Sequence, residues 1–203
     1  MVISLRRVYT DTIMKKRLFI AIKLNETTMS ALRSFQKELK QQLQCKGIRW
    51  VNPDLFHLTL QFLGDTDVTQ MPRLITHLES AALKIEPFNL IFEGTGFFGS
   101  SNSVRAIWAG TQPSPSLQNV FFEVVHSTEF LPLDQQPRFS PHLTLARGSD
   151  WLSREDSATI VATITERKEH FFGVTEVASF ELIESILNSG GPVYKTVKQI
   201  DLV

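Results

Sequence analysis

Apolar and polar positions alternate most clearly at two places in the chain, and both carry the same four residues. From Leu55 to Leu63, Phe56, Leu58, Leu60 and Phe62 share one side of an extended backbone, while His57, Thr59 and Gln61 share the other. A half-buried strand is predicted there, ended by Gly64-Asp65. His142 to Ala146 repeats the pattern as a second strand. Arg17 to Leu24 is compact and β-rich and reads as a buried strand. Leu32, Phe35, Leu39 and Leu43 then form a helical stripe, with Asn25 as its cap and Gly47 as its end. Ile48 to Val51 reads as a short strand closed by Asn52-Pro53.

A second helix is predicted after Asp67, with Pro72 in its first turn and Met71, Leu74, Ile75 and Leu78 facing inward. Phe88–Phe97 and Val104–Ala109 read as a hairpin around Gly99-Ser-Ser-Asn-Ser. Pro115 starts a third helix, and Ser153 caps a fourth that turns Ile160, Val161 and Ile164 inward. Between them, Leu131 to Pro141 is a Pro-broken loop. Val174 to Leu187 reads as one long strand, turned by Asn188-Ser-Gly-Gly-Pro192 into a last strand, Val193–Leu202. Strands and helices in this mixture predict an α+β fold with antiparallel sheets. No composition break or linker divides the chain. One domain over 14–203 is expected, with room for two lobes. Residues 1–13 are expected to be an extension outside the fold, disorder being one expectation for it.

Composition narrows the function classes. Lys plus Arg and Asp plus Glu both number 21, so formal net charge is zero. Bulk attraction to a polyanion is not expected, and contact with nucleic acid should be local. Cys45 is the single cysteine, which excludes an internal disulfide and a thiolate zinc cluster. A cytoplasmic, monomeric protein without a membrane segment is expected.

The chemistry lies in the repeat, His57-Leu-Thr-Leu60 and His142-Leu-Thr-Leu145. On a strand, each copy sets an imidazole beside a hydroxyl and turns two leucines into the core. Two half-buried strands with the same parity would also look like this, but two identical copies favour a shared purpose. Two imidazoles suit phosphodiester cleavage, one taking a proton from the nucleophile and one giving a proton to the leaving oxygen. The threonines can hydrogen-bond the non-bridging oxygens. A metal site is the rival use of two histidines. The motifs offer no third ligand and no His-x-x-x-His, so no metal or other cofactor is expected.

With their flanks, the motifs resemble a known family. The paired His-x-Thr-x pattern is similar to the two-histidine (2H) phosphoesterase superfamily. Arg17-Leu-Phe-Ile-Ala-Ile22, Trp50, His57-Leu-Thr-Leu-Gln-Phe-Leu-Gly64, Pro141-His-Leu-Thr-Leu-Ala-Arg147, Phe180-Glu-Leu-Ile-Glu-Ser185 and Tyr194 resemble the bacterial RNA 2′,3′-cyclic phosphodiesterases, also called 2′–5′ RNA ligase-like or LigT-like proteins. The resemblance implies a bilobal fold with one motif from each lobe in a shared cleft. It implies hydrolysis of a terminal 2′,3′-cyclic phosphate on RNA to a 2′-phosphate, without metal. Some relatives also join or cleave 2′–5′ linkages, and a non-catalytic module that holds RNA ends would keep the same cleft. Carried onto this chain, His57 and His142 match the catalytic pair, with His57 assigned as acid and His142 as base, although the swap stays open. Thr59, Thr144 and Arg147 match phosphate-binding residues. Strict alternation puts Arg147 on the face opposite His142, so it reaches a cleft only if the strand ends or bulges near Ala146. Phe62 stands where a symmetric arginine would be, so only one lobe is expected to supply this charge. Phe97, Phe98 and Trp108 are candidates for base stacking, and Arg105 for a phosphate contact. His77, His126 and His170 are expected to be solvated or capping.

Overall fold

In a computed structural model, which describes residues 14–133 and 138–203, nine strands form two antiparallel sheets and four α-helices pack outside them. The expected extension over residues 1–13 lies outside the described residues. The first sheet has the order β3-β1-β8-β9, with β1 at Lys15–Ile22, β3 at Leu58–Asp67, β8 at Ser179–Asn188 and β9 at Gly191–Asp201. The second has the order β2-β6-β5-β4-β7, with β2 at Ile48–Trp50, β4 at Phe88–Ser100, β5 at Ser103–Thr111, β6 at His142–Gly148 and β7 at Phe171–Val177. Each sheet carries one copy of the repeat, in β3 with the residue before it and in β6.

The helices are α1 (Glu26–Gln42), α2 (Met71–Ala82), α3 (Pro115–Thr128) and α4 (Arg154–Thr165). Three starts are capped by side chains: Asn25 accepts from the Thr28 N–H, Ser114 from Leu117 and Ser153 from Asp156, whereas Asp67, expected to cap α2, caps the 3-10 turn Val68–Gln70 before it. Their placement does not follow chain order. α2 and α3 pack against each other and on the first sheet, whereas α1 packs on β7 and α4 on β4 and β5 of the second. The first helix therefore crosses to the other lobe, and one apolar core runs through both sheets, from Leu18 and Leu58 to Leu143 and Phe172. Among the described residues, no helix is long and apolar enough to cross a membrane.

Several expected boundaries move. Gly47 does not cap α1, which ends at Gln42 with Leu43 as its C-cap; it sits in the turn before β2 with φ 95°. Gly64 does not end β3. The strand runs on to Asp67, and Gly64 adopts φ 66° within it. The long strand expected over Val174–Leu187 is two strands. Ala178 is the break at which the chain leaves the second sheet for the first. Both halves are apolar, so hydrophobic pattern alone does not reveal a change of sheet.

Candidate active site

A cleft of about 850 Å³ lies between the two sheets, and His57, Thr59, His142 and Thr144 all line it. The two histidines are held alike. A short 3-10 turn, Pro53–Leu55, leads into His57, whose Nδ1–H donates to the Leu55 carbonyl at 2.7 Å. The His142 Nδ1–H donates to the Ser140 carbonyl, also at 2.7 Å. A carbonyl can only accept, so Nδ1 is protonated in both rings. Each Nε2 is thereby left to exchange a proton with a substrate.

Both strands bulge just after the threonine. In β3, Ala21 pairs with Thr59 but Ile20 pairs with Gln61, so Leu60 is the extra residue. In β6, Trp108 pairs with Thr144 but Ile107 pairs with Ala146, so Leu145 is the extra residue. A bulge resets the alternation. Arg147 consequently lines the cleft with His142 instead of facing away from it. The same shift corrects the expectation for β3. Gln61 is buried and accepts a hydrogen bond from the Thr128 hydroxyl of α3 at 3.0 Å, while Phe62, expected in the core, is 67% exposed and borders the cleft.

The charge of the cleft is wider than one arginine. Arg17 in β1 and Arg49 in β2 also line it, and among the described residues no Asp or Glu does. The first sheet therefore contributes a guanidinium too, contrary to the expectation that only one lobe would. Burial lowers the His57 pKa below its ordinary 6.5; the hydrogen bond to Leu55 opposes this, and the positive field of Arg147 adds to it. Burial raises the Tyr194 phenol, with Arg147 and Arg17 pulling the other way. Tyr194 and Phe19 flank His57, with ring centroids 5.3 and 4.9 Å away. Phe98 stands edge-on to His142 at 4.7 Å.

Other sequence candidates lie elsewhere. Phe97 packs on the core, and neither it, Trp108 nor Arg105 borders the cleft. Trp108 is on the same sheet face as Thr144, but its ring is laid across Gly96 of β4. His77 and His126 border a separate pocket of about 360 Å³ between α2 and α3, in which Lys84 is tied to Glu123 and His126 to Glu129. His170 lies in the loop before β7 and is exposed, as expected, with its ring beside Phe35 and Phe172. Sequence reasoning assigned no role to Arg17, Arg49, Phe19 or Tyr194. Arg17 and Phe19 carried a signal, since they are two apart on a predicted strand.

Two antiparallel sheets each offer an imidazole, a hydroxyl and a guanidinium to one cleft. Residues 22–108 match the family model described as LigT like Phosphoesterase. The chain is 28% identical over 182 residues to the RNA 2′,3′-cyclic phosphodiesterase of Archaeoglobus fulgidus, covering 90% of this chain and 98% of that one. The protein of the same name from Methanocaldococcus jannaschii is 28% identical over 183 residues, covering 90% and 99%. Among solved structures, TT0787 of Thermus thermophilus superposes with a TM-score of 0.76 at 26% identity, covering 92% of this chain and 97% of that one.

Proposed function

We propose that the protein hydrolyses a terminal 2′,3′-cyclic phosphate on RNA to a 2′-phosphate, without a metal, by acid–base catalysis between His57 and His142. The observation that carries this reading is the matched pair of Nδ1 hydrogen bonds, which leaves two Nε2 atoms for one cleft. Water attacks phosphorus while His142 takes its proton. The bond from phosphorus to the 3′ oxygen breaks, and His57 protonates that oxygen. The 2′ ester bond remains, so the product is a 2′-phosphate with a free 3′ hydroxyl. Thr59 and Thr144 donate to the non-bridging oxygens, and Arg147 offsets the charge that builds on them.

Solvent access supports this division of roles. The His142–Ser140 hydrogen bond is exposed, whereas that of His57 is part-buried. Water can reach His142 directly, and the more enclosed His57 suits a leaving group held within the substrate. Binding an anionic phosphate beside Arg147 offsets that arginine's share in lowering the His57 pKa, and the larger share, from burial, remains. Among the described residues, no three His, Cys, Asp or Glu side chains gather as a metal site. The relatives' shared name supplies the RNA end as the substrate class.

The test is hydrolysis of a cyclic-phosphate-ended RNA in excess EDTA. The wild type should form a 2′-phosphate, and His57→Ala and His142→Ala should each lose at least about a hundredfold in rate. Activity surviving either substitution would remove the two-histidine mechanism. Binding of a 2′-phosphorylated end without turnover of any cyclic phosphate would leave a binding module instead.

A further inference from the structure

The cleft holds more positive charge than its reaction needs. A 2′,3′-cyclic phosphate carries a single negative charge, yet Arg17, Arg49 and Arg147 all line the cleft and, among the described residues, no carboxylate does. Among the described residues, none of the three has a carboxylate within 4.0 Å, although ion pairs are frequent elsewhere, as in Lys16–Glu184 and Lys198–Glu79. The surplus is local, because the whole chain is neutral. Its arrangement is also unfavourable without a ligand. Arg49 lies directly opposite Arg147 in the β2–β6 register, and like charges at that position repel. β2 is the edge strand of its sheet, so Arg49 stands one strand further from His142 than Arg147 does, about 4.8 Å outward.

We propose that Arg49, with Arg17 from the other sheet, forms a second phosphate subsite that takes the phosphodiester on the 5′ side of the terminal nucleotide. This rests on the hydrolysis proposed above and deepens it: the preferred substrate is a strand end of at least two nucleotides, not a cyclic mononucleotide. Guanidiniums suit the task because they hold phosphate oxygens in pairs and keep their charge at any working pH. An anion between Arg49 and Arg147 turns the cross-strand repulsion into shared attraction. Contact confined to one or two phosphates also agrees with a chain that has no net positive charge.

The experiment compares three substrates: a nucleoside 2′,3′-cyclic phosphate, a dinucleotide ending in the same group, and that dinucleotide with a neutral methylphosphonate linkage. The charged dinucleotide should have a kcat/KM at least about tenfold above the other two. Arg49→Gln should collapse this ratio towards one and make the salt dependence of the dinucleotide reaction shallower by about 0.7 in log–log slope. Equal turnover of the charged and neutral linkages by the wild type, or an unchanged ratio in Arg49→Gln, would overturn the subsite. If no cyclic phosphate is opened at all, the hydrolysis reading falls. Calorimetric affinities for the charged and neutral dinucleotides then decide the subsite separately, equal affinities removing it.

Discussion

Gln36 of α1 donates from Nε2 to the carbonyl of Leu145 at 2.9 Å, the residue at which β6 bulges. The same amide nitrogen donates to the Val51 carbonyl at 2.8 Å, and the Val51 N–H donates to Leu145 at 3.0 Å. Gln36 is 1% exposed. A helix from the first half of the chain thus clamps the bulge that turns Arg147 into the cleft.

Gln36→Leu keeps the volume but removes both donors. Leaving buried carbonyls under-satisfied should cost about 1–3 kcal/mol of stability, read as a lower denaturation midpoint. The bulge should also loosen, so kcat/KM should fall under conditions where the variant remains folded. Retained activity at reduced stability would mean that the bulge holds without its clamp.

The pH profile of kcat/KM reports the free enzyme. Burial and Arg147 hold the His57 pKa below 6.5. As the acid, His57 must carry its proton, so the alkaline limb of the profile should bend below pH 6.5. Arg147→Gln removes a positive charge that lowers the pKa, and this limb should move upward, though not the whole way, because burial persists. Movement of the acidic limb instead would identify His57 as the base and reverse the two roles.

Thr59→Val and Thr144→Val remove a hydroxyl with little change of shape. If each hydroxyl meets a non-bridging oxygen as charge builds there, each variant should lose about a hundredfold in kcat with a smaller change in KM. A rise in KM alone would show that the threonines hold substrate without stabilising the transition state.

Much of this site is legible in residue spacing, because His and Thr two apart share a strand face whatever the tertiary context. The α+β class, the helix caps at Asn25 and Ser153, and the repeat itself all come from short-range patterns. What escapes is long-range. Whether Arg147 faces the cleft depends on a bulge at Leu145 that is held by Gln36, 109 positions away in the chain. Strict alternation put Phe62 in the core for the same reason, since Leu60 shifts the register. Arg49 carries no local mark at all. It becomes a cleft residue only because β2 pairs with β6.

Two glycines separate backbone cost from crowding. Gly64 has φ 66° in the middle of β3, and a Cβ added there would meet nothing within 4 Å. Gly64→Ala should therefore cost about 1–2 kcal/mol through the left-handed backbone alone. Gly96 raises the opposite problem. A Cβ there would lie 2.2 Å from Cζ2 of Trp108, whose ring spans it, and Trp108 pairs directly with Thr144. Gly96→Ala should displace the indole, cost about 1–3 kcal/mol by overpacking and change the tryptophan emission. Because the disturbed residue neighbours Thr144, this substitution should also lower kcat, whereas an alanine at 64 that preserves the bulge should act mainly on stability. Measuring denaturation midpoint, emission and turnover for both variants separates the two effects. Equal loss of turnover in both would mean that the backbone at Gly64 itself shapes the phosphate site.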